Sequence, residues 1–140
     1  MVQETQTTTQ VLFPFLRYQD APAAIDWLVK AFGFEDQMVV PGDNGTIAHA
    51  QLSFGTGVVM LATVRDDELQ MKSPHDLGGV NQGIYVYLEE VDAHCERARA
   101  AGAEIIRGPE NTDYGSREYT ARDLEGHLWS FGTYRPSAAH

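Results

Sequence analysis

Residues 11–33 read VLFPFLRYQDAPAAIDWLVKAFG, and the parsing of this stretch decides the fold. Its first third, 11–18, is dense in aromatic and branched side chains and reads as a strand. Pro14 has no N–H to give a ladder, which places it at an edge or at a missing bond. Asp20 is then a helix N-cap, with Pro22 in the first turn. Ile25, Leu28, Val29 and Phe32 recur on one helical face, and Gly33 supplies the residue that ends a helix. Downstream, 34–40 is a strand, PGDNG at 41–45 is a turn cluster, and 46–54 and 57–64 are strands joined through Gly55-Thr56. The order is βαβββ.

The second half repeats that order. Residues 82–88 (QGIYVYL) form a strand, 90–101 a helix with Val91, Cys95 and Ala98 on its apolar face, and 104–107 a short strand ended by Gly108-Pro109. A hairpin of 116–122 and 126–134 is expected to close at Leu124-Glu125. Gly33 and Gly102 are 69 residues apart, as are Gly57 and Gly126. An offset shared by helix-stopping and hairpin glycines points to two copies of one supersecondary unit. The expectation is an α+β chain: a polar tail at 1–10, modules at 11–64 and 82–136, and a linker at 65–81, together one compact domain.

Composition narrows the function. The chain has 140 residues with 10 Lys+Arg against 20 Asp+Glu, a net charge of −10. Such a surface repels a phosphate backbone, so nucleic acid is not an expected partner. The longest apolar run is 58–62, far below the roughly 20 residues that span a bilayer, so no membrane is expected either. The start, QETQTTTQ at 3–10, lacks the charged and apolar regions of a signal peptide, and Cys95 is alone; both fit a cytoplasmic protein. The acidic balance favours a neutral or cationic small molecule over an anion.

Ala24-Ile25-Asp26-Trp27-Leu28 running to Ala31-Phe32-Gly33-Phe34, His49-Ala50-Gln51-Leu52, and Val91-Asp92-Ala93 with Ala100-Ala101-Gly102-Ala103 carry a resemblance. So, most specifically, does Tyr114-Gly115-Ser116-Arg117-Glu118 leading to Arg122-Asp123-Leu124-Glu125-Gly126-His127-Leu128-Trp129-Ser130-Phe131. On these segments the chain resembles the vicinal-oxygen-chelate superfamily, which includes glyoxalase I, bleomycin-resistance proteins and extradiol dioxygenases. It is most similar to the glyoxalase-like branch related to bleomycin resistance. The resemblance spans 11–136 and implies paired βαβββ modules, each sheet curling around a cup-shaped pocket, and a homodimer.

Metal-dependent members of this family draw four ligands from the first and last strands of the two modules. By this resemblance those positions fall at Pro14, Leu61, Gly83 and Ser130, three of which have no side-chain donor. A slip of one residue offers Phe13, Met60, Gln82 and Trp129, which is no better. No metal and no other cofactor is therefore expected. Strand parity taken from these positions puts Leu16, Tyr18, Tyr85, Tyr87, Arg117, Tyr119 and Ser130 on the cup as ligand-binding candidates. His49 and Glu118 fall on the opposite face. Aromatic walls with a few polar handles suit a small organic ligand.

Three functions are open at this level. The first is a metal-independent small-molecule-binding protein that sequesters its ligand; its catalytic residues, if it has any, are unknown. The second is a metal-dependent glyoxalase- or dioxygenase-type enzyme with a non-standard site that includes His49 or Glu118. The third is a structural or regulatory dimer with a vestigial pocket. His127, Trp27, Trp129, Phe131 and Cys95 are read as packing residues, and Arg117 also as the partner of a carboxylate.

Overall fold

The first helix forms where its signals stand. In a computed structural model describing residues 10–138, Asp20 accepts a hydrogen bond from the Ala23 N–H at 3.1 Å and opens α1 (Ala21–Phe32). Gly33 closes it at φ 84°, a left-handed conformation suited to glycine. The Gly33 N–H bonds Val29 O and the Phe34 N–H bonds Leu28 O.

Strand β1 (Phe15–Tyr18) begins only after Pro14, shorter than the expected 11–18. Pro14 still uses its carbonyl, which accepts from Met60 N at 2.9 Å. Strands β2 (Glu35–Pro41), β3 (Ile47–Phe54) and β4 (Gly57–Thr63) complete the first sheet in the order β1-β4-β3-β2, with β1 parallel to β4 and the rest antiparallel. The segment after β4 holds a short helix, α2 (Pro74–Leu77), capped by Ser73 and absent from the sequence reading. Then β5 (Gly83–Tyr87), α3 (Val91–Ala100), β6 (Glu104–Asn111), β7 (Arg117–Arg122) and β8 (Leu128–Gly132) build a second sheet of the same topology, β5-β8-β7-β6. Strand β6 continues past Gly108-Pro109, where a stop was expected; irregular pairing between Ile105 and Glu110 accommodates the proline.

One core joins both modules. Helix α1 buries Ala24, Ile25, Leu28, Ala31 and Phe32 against Leu16, Tyr18, Ala50, Leu52, Val59 and Leu61. Helix α3 buries Val91, Cys95 and Ala98, and Tyr119, Ala121, Trp129 and Phe131 line the same core. Phe32 packs its ring 4.8 Å from Phe131 and 5.6 Å from Trp129, while Trp27 Nε1 donates to Ala101 O at 2.7 Å. Buried rings of this size contribute roughly 1.5–3 kcal/mol each. Trp27, Trp129, Phe131 and Cys95 thus pack as expected, and burial pushes the Cys95 thiol pKa up.

This packing corrects the sequence reading of the two sheet faces. In the first sheet Ala50 pairs with Leu61 as expected, but that face is buried against α1. The outward row is instead Phe15, Met60, Gln51 and Met38. In the second sheet the hairpin is longer than expected. Arg122 pairs with Leu128, and Asp123–His127 forms the turn. Ser130 therefore opposes Thr120, not Tyr119, and Tyr119 turns inward.

Candidate functional site

Each sheet keeps one face for the shared core and presents the other outward. Cross-strand partners share a face. The outward rows of the second sheet are Gly83–Leu128–Arg122, Tyr85–Ser130–Thr120–Arg107 and Tyr87–Gly132–Glu118–Glu110. In the first sheet, Phe15, Arg17, His49, Met60 and Ala62 line a cavity of about 330 Å³. In the second, Tyr85, Tyr114, Glu118, Leu128, Ser130 and Tyr134 line one of about 370 Å³. The two cavities have no lining residue in common. A third, of about 450 Å³, lies beneath the 65–81 segment and shares Phe15, Leu16, Arg17 and Leu69 with the first and Gly83, Ile84 and Leu128 with the second.

Among the expected ligand residues, Tyr85 and Ser130 stand together on an outward face. The Tyr85 hydroxyl donates to Tyr134 O at 2.6 Å, and burial raises its pKa. Ser130 and Thr120 share a hydrogen bond of 2.7 Å. Tyr87 shares the outward side and, with Tyr85, lines another opening beside Pro14 and Gly57; its hydroxyl donates to Glu89 and its ring lies 4.3 Å from the Arg135 guanidinium.

The other four are placed elsewhere, for a common reason: the face assumed to be the cup is the face that packs against the helices. Leu16 is a core residue, although its edge still touches two of the cavities. Tyr18 is fully buried and hydrogen-bonds Asp123, so desolvation and then the nearby carboxylate hold its hydroxyl well above the usual range. Tyr119 is 1% exposed, with its hydroxyl 2.6 Å from His94 Nδ1. Arg117 forks onto Asp92 of α3, with Nε and Nη2 at 2.6 and 3.1 Å from the two carboxylate oxygens.

The outward faces also bring forward residues outside the expected ligand-binding set: Phe15, Arg17, His49, Met60, Tyr114, Glu118, Leu128 and Tyr134. His49 and Glu118 thus stand on the cavity side, the reverse of their expected placement. Tyr114 donates to Glu118 at 3.0 Å and packs edge-on against Tyr134 at 5.9 Å. The signal available in the sequence was the apolar character of Leu16, Ala50, Leu52, Val59 and Leu61 taken together, which marks a packed face.

The donor chemistry does not fit a four-ligand divalent metal. The outward positions of the first and last strands are Phe15, Arg17, Met60 and Ala62 in one module, and Gly83, Tyr85, Leu128 and Ser130 in the other. None supplies an imidazole or carboxylate. Glu118 is held by Tyr114, and His49 Nε2 lies 3.0 Å from Gln51 Nε2. Among the described residues no three His, Cys, Asp or Glu side chains gather. No described helix is long and apolar enough to cross a membrane.

Comparison with known proteins adds the evolutionary context. The family model for the Glyoxalase/Bleomycin resistance protein/Dioxygenase superfamily matches residues 9–131. An uncharacterised protein of Mycobacterium bovis is 38% identical over 126 residues, covering 86% of this chain and 81% of that protein. The crystal structure of TioX from Micromonospora sp. ML1 superposes with a TM-score of 0.73 at 36% identity, over 91% of this chain and all of that one. TnmS3, an antibiotic binding protein from Streptomyces sp. CB03234, has a TM-score of 0.67 at 22% identity, over 95% of this chain and all of its own.

Proposed function

The chain belongs to the glyoxalase/bleomycin resistance protein/dioxygenase superfamily, and we propose that within it the chain is a metal-independent, cytoplasmic, homodimeric protein that binds and sequesters a small molecule. The observation that carries this reading is the lining of the outward faces. They present Phe15, Met60, Tyr85, Tyr114, Leu128 and Tyr134 with a few hydroxyls, and no set of metal donors at the positions facing the cavities. Such walls exclude water from a flat apolar ligand, and the hydroxyls orient it. The antibiotic-binding role in the name of TnmS3 supports the same class of activity.

The same geometry supports the dimer. Within one chain the cavities of the two outward faces meet only through the space beneath the 65–81 segment, and each face still exposes rings such as Phe15 and Tyr114, as an open half-cup would. A second copy, setting its second module against the first module of its partner, closes both pockets about a twofold axis. The ligand class read from net charge alone, neutral or cationic, does not carry over into this proposal. Long-range charge governs approach, whereas the lining governs capture.

Metal analysis of protein purified without chelator, together with thermal unfolding against a panel of polycyclic antibiotics, tests the proposal. The expected result is no stoichiometric transition metal and stabilisation of roughly 2.7 kcal/mol at a hundred times the dissociation constant. A stoichiometric metal with turnover lost in His49→Ala would instead establish the enzyme reading. The face occupied by His49 is the observation that favours that second reading.

A further inference from the structure

Resting on the reading of the outward cavities as a small-molecule site, we propose that the cavity beneath the 65–81 segment anchors a carboxylate group of the ligand on the guanidinium of Arg17. Arg17 is 4% exposed, and its Nη1 is buried with no hydrogen-bond partner among the described residues. A buried guanidinium is costly unless its N–H groups are bonded. Its one ion-pair contact is Asp67, at 3.7 Å, beyond hydrogen-bonding distance. Asp67 is already engaged, accepting from Arg65 Nε and from the Leu69 N–H, each at 3.1 Å. Two guanidiniums thus share one carboxylate, and a positive charge is left over.

The cavities that Arg17 borders have the sign that suits an acid. The charged residues lining the one beneath the linker are Arg17 and Lys72, and those lining its neighbour are Arg17 and Arg65. Neither is lined by an Asp or Glu, in a chain that has 20 of them. The cavity walls therefore carry cationic side chains although the chain as a whole has a net charge of −10. The guanidinium is a planar fork whose geometry matches a carboxylate bidentately. Leu69, Met71, Leu77, Ile84 and Leu128 line the rest of the 450 Å³ space, enough for a two-ring apolar body. The ligand class is an aromatic acid.

Calorimetric titration of the full chain with 2-naphthoate and with its uncharged amide, 2-naphthamide, tests this assignment. The wild type is expected to bind naphthoate at least about tenfold more tightly, a difference of about 1.4 kcal/mol. Arg17→Gln erases the preference and leaves naphthamide binding in place. Arg17→Lys, which keeps the charge but not the fork, weakens naphthoate alone. Equal wild-type affinities, or a preference that survives in Arg17→Gln, overturn the carboxylate assignment while leaving the small-molecule reading standing. Failure of both compounds to bind at millimolar concentration overturns both. Should Arg17→Gln not fold, the two wild-type affinities decide.

Discussion

Tyr18 donates its hydroxyl hydrogen to Asp123 Oδ2 at 2.6 Å, inside the protein and across 105 residues of chain. This one bond ties the first strand of one module to the last hairpin of the other. The same carboxylate accepts from Trp129 Nε1 at 3.0 Å through Oδ2 and from the Glu125 and His127 N–H groups at 3.0 Å through Oδ1. Glu125 in turn accepts the N–H groups of Gln19 and Asp20, at 2.6 and 2.8 Å. The 123–127 turn is thereby held against the entry to α1.

Tyr18→Phe removes one donor from a buried, charged acceptor and is expected to cost roughly 1.5–3 kcal/mol. Asp123→Ala strands a phenol, an indole and two backbone N–H groups, and is expected to cost more. Urea unfolding checks both: the midpoint falls while the slope holds. Ligand affinity of folded Tyr18→Phe stays unchanged, because the side chain lies in the core. A loss of affinity with unchanged stability would return Tyr18 to the pocket.

The half-buried His94 is expected to make stability fall in mild acid. Its Nε2 lies 2.7 Å from Phe32 O and its Nδ1 2.6 Å from the Tyr119 hydroxyl, an arrangement satisfied by the neutral ring with the proton on Nε2. Burial lowers its pKa; the carbonyl of Phe32 opposes that shift, and the charge of Arg97 adds to it. A histidine depressed in the folded state binds its proton more readily when unfolded. Its contribution is therefore complete above its unfolded pKa near 6.5 and is lost as pH falls through the lower folded value. Unfolding measured between about pH 7.5 and 5 should show the decline, and His94→Gln should flatten it.

Arg117 and Asp92 supply an exposed pair at the start of α3, where a carboxylate also suits the helix dipole. The contact lowers the Asp92 pKa through the hydrogen bond from Arg117. Exposed pairs are weak and screened. Arg117→Ala is expected to lower the thermal midpoint slightly at low salt, with the difference closing by 1 M NaCl, and to leave ligand binding intact. Impaired binding with normal stability would return Arg117 to the ligand site.

The element order of the two modules and the helices α1 and α3 were readable because their signals are local: Asp20 and Gly33 bracket α1, and Val91, Cys95 and Ala98 mark one face of α3. The choice of sheet face was not. Alternation separates two faces but does not say which one a helix covers, and Leu16 and Tyr18 suit a core as well as a pocket wall. The single offset of 69 also hid unequal insertions. Phe15 beside Met60 corresponds to Gly83 beside Leu128, a spacing of 68, whereas Ala50 beside Leu61 corresponds to Ala121 beside Trp129, a spacing of 71 in β3 and β7. The difference lies partly in the five-residue turn that Asp123 organises, through side-chain bonds no periodicity could reveal. Arg17 was passed over because its burial depends on the distant 65–81 segment.

Closure of the half-cups by a second copy makes a prediction at Phe15. This ring is 50% exposed on the outward row with Met60, Gln51 and Met38, and Met38 is 46% exposed as well. An apolar row standing off the core gives a single chain nothing, and burying it gives a pair of chains a driving force of roughly 25 cal/mol for each square ångström covered. Sedimentation equilibrium is expected to give twice the 15.5 kDa chain mass. Phe15→Asp places a charge on that row without touching the core, so the chain should remain folded, sediment as a monomer and lose ligand affinity at the same time. A wild-type monomer that binds ligand fully would mean that each half-cup suffices alone. A dimeric Phe15→Asp protein would place the interface on another face.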